Sequence, residues 1–182
     1  MTPVQPGEVI GYWFETLSPE AWYGAPPDVD AEIARRFGPV YETLSEAVPD
    51  DWLRSPQGRL AAILVLDQFP RNIHRGTPQA FRSDEKALML AKDAIAAGAD
   101  MELPPEQRAF LYMPFQHAEN LEDQRRSLEL FGSLGNANNL DFAVRHYEII
   151  ACFGRFPHRN AILGRASTPE ERAFLKEPGS SF

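Results

Sequence analysis

The stretch Leu60-Ala61-Ala62-Ile63-Leu64-Val65-Leu66, closed by Asp67-Gln68-Phe69-Pro70-Arg71-Asn72, decides how this chain folds. It follows Ser55-Pro56, an N-cap residue with proline at the first helical position, so it opens as a helix. Its apolar side chains leave no polar stripe, which predicts a helix buried on every side at the centre of the fold. The run falls far short of the ~18 apolar residues of a membrane span, so it belongs to a core.

Outward from this segment, helical signals recur while strand signals are nearly missing. Val9, Ile10, Trp13, Phe14 and Leu17 fall at helical spacing in a first helix. Asp28 or Asp30 is expected to cap a second, with Ile33, Phe37, Val40, Tyr41 and Leu44 on one side and a kink or restart at Gly38-Pro39. Ser83 is read as opening a helix from Asp84 to Ala97 that Gly98 closes. Pro104-Pro105 starts another, which Met113-Pro114 breaks or kinks. A helix near Leu121 to Leu134 precedes the most regular pattern, Leu140, Ala143, Val144, Tyr147 and Ile150. Thr168-Pro169-Glu170-Glu171 is a capping box, and the tail Pro178-Gly179-Ser180-Ser181 is expected to fray. The expectation is one all-α domain over residues 1–182. Its roughly eight or nine short helices would pack as antiparallel pairs, since short links make consecutive helices neighbours.

Bulk composition narrows the function classes. With 43% hydrophobic and 24% charged residues, the chain reads as a globular protein with a real core. A net charge of −8 argues against nucleic acid as a partner, because phosphate neutralisation needs clustered cations. Cys152 is the one cysteine, so no internal disulfide forms, and its apolar helical setting predicts a buried, inert thiol. The N-terminus has neither the basic region nor the apolar run of a signal peptide, which points to the cytoplasm and away from the membrane.

Polar chemistry concentrates in two echoing stretches, Phe69-Pro70-Arg71-Asn72 and Phe156-Pro157-His158-Arg159-Asn160, both read as helix exits. Asp67 ends the central helix at the negative pole of its dipole, so Arg71 is its expected compensation. That pair is either a buried clamp or an aligner of Arg71 towards a ligand. Asn72 and Asn160 suit turns, where Asn satisfies free backbone groups. Arg71, Arg155, Arg159 and Arg165, together with Asp67, Gln68, Asn72, Gln124 and Asn160, form the candidate ligand-binding set. The cations suit a small anionic molecule, a carboxylate or a phosphate.

His117, Glu119 and His158 are the candidate acid–base residues. On a continuing helix His117 would share a stripe with Met113, Leu121 and Gln124, as a hydrogen-bonded core pair or a pocket wall. His158 could donate to an anion or accept a proton, or simply pack on Phe156. Four scattered histidines without i, i+4 pairing predict no metal site. Phosphate-cradling glycine loops, a nucleophile elbow and paired cysteines are all missing from the sequence, so no cofactor is expected.

Three ordered blocks carry a resemblance. Asp67-Gln68-Phe69-Pro70-Arg71-Asn72, then Met113-Pro114-Phe115-Gln116-His117-Ala118-Glu119 with Gln124, then Phe153-Gly154-Arg155-Phe156-Pro157-His158-Arg159-Asn160 with Leu163-Gly164-Arg165 resemble the motifs of the mostly bacterial family called domain of unknown function 924. The likeness runs from the N-terminal aromatic helix to Phe174-Leu175 and implies an all-helical fold similar to tetratricopeptide repeats. It supplies candidate residues rather than an activity. His74 departs from the pattern, where an aromatic residue is usual. Three readings follow: a small-molecule pocket shared by the two Phe-Pro stretches with His117 between them, a protein-interaction scaffold, or purely structural clamps.

Overall fold

A computed structural model describes residues 4–24 and 26–182. Among them the elements are helical throughout: α1 Pro6–Gly11, α2 Pro19–Gly24, α3 Pro27–Glu46, α4 Pro56–Ile63, α5 Phe69–Ile73, α6 Asp84–Ala96, α7 Pro105–His117, α8 Leu121–Ser133, α9 Ala137–Phe153 and α10 Pro169–Phe174. The protein is therefore all-α. Two compact units emerge, one holding the chain up to Arg75 with Gln79–Pro114, the other holding Gly76–Pro78 and Phe115–Phe182.

In the first unit, Leu60 to Leu66 is wholly shielded from solvent, as an all-round apolar helix requires. Ser55 caps α4 by accepting from the Gly58 amide at 3.0 Å. Helices α1 and α6 pack against α4, and α5 packs against α3. An aromatic layer binds them: Trp13 lies 5.7 Å from Phe69 and 5.6 Å from Phe110, and Phe37 lies 4.9 Å from Phe69. Gly58 lies where the chain doubles against the 3-10 turn Asp50–Arg54, and a Cβ there would stand 2.2 Å from the Trp52 carbonyl oxygen.

The sequence expectation of a helix exit at Phe69-Pro70 is corrected. After α4 the backbone widens over Leu64–Gln68, with the Phe69 amide reaching back five residues to Leu64, and then continues as α5. Pro70 offers no amide to the Leu66 carbonyl. Ser83 repairs the loss, its hydroxyl donating to Leu66 O at 2.6 Å. Ser83 thus does not cap α6 with its side chain, although it stands at the N-cap position. Likewise α3 starts at Pro27, with Asp28 and Asp30 in its first turn rather than capping it, and runs unbroken through Pro39. Helix α7 also runs through Pro114 to His117.

In the second unit α8 and α9 lie side by side, the chain turning back over Leu134-Gly135-Asn136. Asn120 caps α8 and Asn136 caps α9 through their side-chain oxygens. Gly154 ends α9 with φ of 71°, the left-handed conformation that favours glycine. Thr168 and Glu171 close the expected capping box on α10 in both directions. Cys152 is exposed, against expectation. It shares the outer stripe of α9 with Arg145 and Glu148, because helical periodicity turns that side from the core.

Three substitutions test this packing. Gly58→Ala should lower stability by about 1–3 kcal/mol through overpacking against the Trp52 carbonyl, whereas Gly132→Ala, with open space around its Cβ, should be neutral or stabilising. Ser83→Ala, which strands the Leu66 carbonyl, should cost about 1–3 kcal/mol. Urea unfolding followed by circular dichroism measures all three.

Candidate functional site

The first Phe-Pro stretch is a set of clamps inside the first unit. Arg71 makes a two-pronged pair with Asp84, Nη1 to Oδ1 at 2.8 Å and Nη2 to Oδ2 at 3.0 Å. It also donates to the Asp67 carbonyl and stands 3.7 Å from the Asp67 carboxylate. The anticipated Asp67–Arg71 compensation therefore exists, but the main partner is Asp84, in the first turn of α6. Burial alone would lower the Arg71 pKa; Asp84 and Asp67 outweigh it and raise it. Gln68 donates to Asp67 Oδ2 at 2.6 Å and contacts the Met113 sulfur at 3.4 Å. Asn72 Nδ2 donates to Asp30 at 2.8 Å, and Arg75 holds the same carboxylate from the other side at 2.7 and 2.9 Å. Asp30 and Asp84 were not among the residues the sequence singled out as candidates. Each is an acidic residue in a helix's first turn, a position the helix dipole favours.

The second stretch differs in geometry: Phe156 enters a short 3-10 turn, Pro157–Arg159, outside any long helix. Its polar residues form one hydrogen-bonded web. Arg165 pairs with Glu119 at 2.6 and 2.9 Å, and Glu119 Oε1 also accepts from the Phe156 amide at 2.7 Å. Arg165 Nε donates to Asn160 Oδ1 at 3.0 Å, while Asn160 Nδ2 donates to Glu171 Oε2 at 3.1 Å. Arg155 completes the web with two bonds to Glu171 at 2.7 and 2.9 Å. Glu171 is the hub, 2% exposed. The sequence showed it only as half of a capping box, so its second task stayed hidden. Hydrogen bonding from Arg155 chiefly holds its carboxyl down to about 2. For Glu119 burial pushes upward, but the Arg165 and Phe156 hydrogen bonds prevail and lower it.

Gln124 does not share a helix with His117, because α7 stops there and α8 begins at Leu121. Instead its Nε2 donates to the Gln116 and Ala118 carbonyls at 2.7 and 2.9 Å, serving the open end of α7. Arg159 Nη2 donates to the neighbouring His117 carbonyl at 3.1 Å, and its guanidinium lies over the Phe156 ring at 4.5 Å.

Three of the four histidines gather beside these groups. The His117 and His146 ring centres are 6.3 Å apart, His146 meets Phe156 edge to face at 5.5 Å, and His158 lies 5.6 Å from Phe156. Phe182 stacks on His146 at 3.7 Å and lies 6.1 Å from His158. The tail expected to fray is thus tied down, with Ser180 buried as well. His146 Nδ1 donates to Phe142 O at 2.7 Å, which leaves the Nε2 lone pair on a neutral ring. Its pKa is pushed down to about 3, first by burial and then by the charge of His117, with Arg159 and His158 adding to it. The sequence places His146 between Phe142 and Ile149-Ile150 without marking it as a site residue, and the structure buries its imidazole on the inner stripe of α9. Among the described residues no three of His, Cys, Asp and Glu are placed to share a metal ion. A separate open groove of about 520 Å³ runs along Ile149, Cys152, Phe153 and Phe174.

Fold and clamps define an all-helical protein in which Arg71, Arg75, Arg155 and Arg165 are neutralised internally and which carries an imidazole-rich cluster. The chain belongs to the family of bacterial proteins of unknown function DUF924, whose model matches residues 9–179. It is also similar to the solved structure of a protein of unknown function from Agrobacterium tumefaciens, at 36% identity over 94% of this chain and 96% of that one, with a TM-score of 0.90. No curated protein matches it. Among the described residues no helix is long and apolar enough to cross a membrane.

Acid should unfold this protein in two stages. His146, neutral when folded, gives stability that is complete above its ordinary value of 6.5 and lost as pH falls towards about 3. Glu171, ionised when folded, gives stability that is complete above its ordinary 4.5 and lost as pH falls towards about 2. Glu171→Gln should lower the melting temperature at pH 7 by several degrees and flatten only the stage below pH 4.5. Melting curves from pH 8 to pH 2 read both effects.

Proposed function

We propose that the second unit binds a small anionic molecule at the cluster of His117, His146, His158 and Arg159. The observation carrying this reading is the meeting of His146, His158 and Arg159 around the Phe156 ring, with His117 next to His146. The electrostatics agree, because Arg159 brings a permanent positive charge into this cluster in a chain of net charge −8, which favours an anion there.

Roles divide by chemistry. Arg159 supplies charge, His146 orients through a neutral ring, and His117 and His158 are the groups for proton transfer if a reaction follows. Glu119 takes no acid–base part in this reading, since Arg165 and the Phe156 amide occupy both its oxygens. We assign Asp67, Gln68, Arg71, Asn72, Gln124, Arg155, Asn160 and Arg165 to holding the backbone that presents the cluster. Their guanidinium groups and side-chain amide N–H groups already have partners, which a ligand would have to displace.

The groove along Ile149, Cys152, Phe153 and Phe174 favours a second reading, docking of a protein segment, because its volume and mixed lining suit an apolar side chain. Titration calorimetry with inorganic phosphate and benzoate separates the two. Arg159→Gln should weaken anion binding at least ten-fold, while Arg145→Gln, at the groove and paired with Asp141, should leave it unchanged. Equal binding by Arg159→Gln would remove the cluster from consideration, and a loss confined to Arg145→Gln would move the site to the groove.

A further inference from the structure

We propose that the ligand of this cluster is a planar aromatic anion, its ring lying on His146 where the Phe182 ring now lies. The inference rests on the anion-site reading above and adds the class of ligand. Phe182 is nearly parallel to His146, with an interplanar angle of 20° and a centroid separation of 3.7 Å. Its other ring neighbours stand at its edges, His158 at 6.1 Å and 75°, Phe142 at 6.4 Å and 65°. One face on an imidazole and two edge contacts describe a slot for a flat six-membered ring.

The present occupant is weakly held. Phe182 is 48% exposed, and it follows Pro178-Gly179-Ser180-Ser181, with Gly179 at φ of 77°. Ser180 ties this tail back through a 3.3 Å hydrogen bond to the Leu175 carbonyl. An aromatic ligand can therefore exchange with Phe182 ring for ring, while an aliphatic ring presents no π face to His146. A carboxylate or phosphate attached to such a ring points along its plane, and the edge of the slot is where His158 stands, next in sequence to Arg159. His146 suits stacking because it is neutral and its Nδ1–H is already committed to Phe142.

The test uses the full chain and its Phe182→Ala and Phe182→Leu variants, titrated with benzoate, phenyl phosphate, cyclohexanecarboxylate and inorganic phosphate. Phe182→Ala should bind benzoate and phenyl phosphate at least ten-fold more tightly than the unaltered chain. Cyclohexanecarboxylate and inorganic phosphate should gain less than three-fold, and Phe182→Leu, which fills the slot without a π face, should fall between. Whichever aromatic anion gains more identifies the anionic group. An equal gain for cyclohexanecarboxylate would overturn the aromatic class while leaving the anion site standing. Unchanged affinities in Phe182→Ala would overturn the slot in the same way. Failure of every anion to bind any variant would overturn both this inference and the reading beneath it.

Discussion

A backbone carbonyl left without an amide must find another donor when water is excluded, and this fold is organised around that constraint. The chain has 16 prolines and many short helices, so carbonyls are freed repeatedly. Ser83 answers Pro70 by donating to Leu66. Gln124 answers the end of α7, and Lys86 answers the end of α3 by donating to the Leu44, Ser45 and Glu46 carbonyls at 3.1, 2.7 and 2.9 Å. Arg155 and Arg165 also donate to the Ala166 and Phe156 carbonyls. Each donor comes from a different element than the carbonyl it serves, so satisfying the backbone also fixes tertiary contacts.

Carboxylates then complete these donors. A guanidinium that reaches a carbonyl has further N–H groups to satisfy, and its planar fork matches a carboxylate. Hence Arg71 joins Asp84, Arg165 joins Glu119 and Arg155 joins Glu171. Removing one partner of such a pair costs more than the pair itself contributes, because the survivor stays partly desolvated. The acidic excess of the sequence is consistent with this use, since half-buried cations need carboxylates placed by other helices.

The all-helical architecture was legible because it rests on local signals. Ser55-Pro56, the apolar run from Leu60 and Thr168 with Glu171 act within a few residues of themselves. The corrections arose where a local signal had a distant answer. Pro70 read as a helix exit and Pro114 as a break or a kink, yet the helix at each continues, at Pro70 because Leu64–Gln68 widens and Ser83 stands opposite. Cys152 read as buried because its neighbours are apolar, but helical phase put it outside. Of the site, the cations were visible and their partners were not: Asp84 lies 13 residues from Arg71, and Glu119 lies 46 from Arg165. Nor could spacing bring His146 to His117 and Phe182, since that depends on α9 folding back along α8.

Clamp and cluster differ in what they leave available. In the web of Glu119, Arg165, Asn160, Glu171 and Arg155, each charge is matched by an opposite charge and the side-chain donors end on protein acceptors. Such a web is rigid and self-satisfied, so it can position but has little to offer a newcomer. The imidazoles beside it also make ring contacts, His146 with Phe156 and Phe182, and a ring contact costs far less to exchange than a charged hydrogen bond. A site able to accept a ligand needs that weaker kind of contact at its mouth and the stronger kind behind it. The second unit has both kinds of contact: Glu119 accepts from the Phe156 amide, and the Phe156 ring meets His146 edge to face.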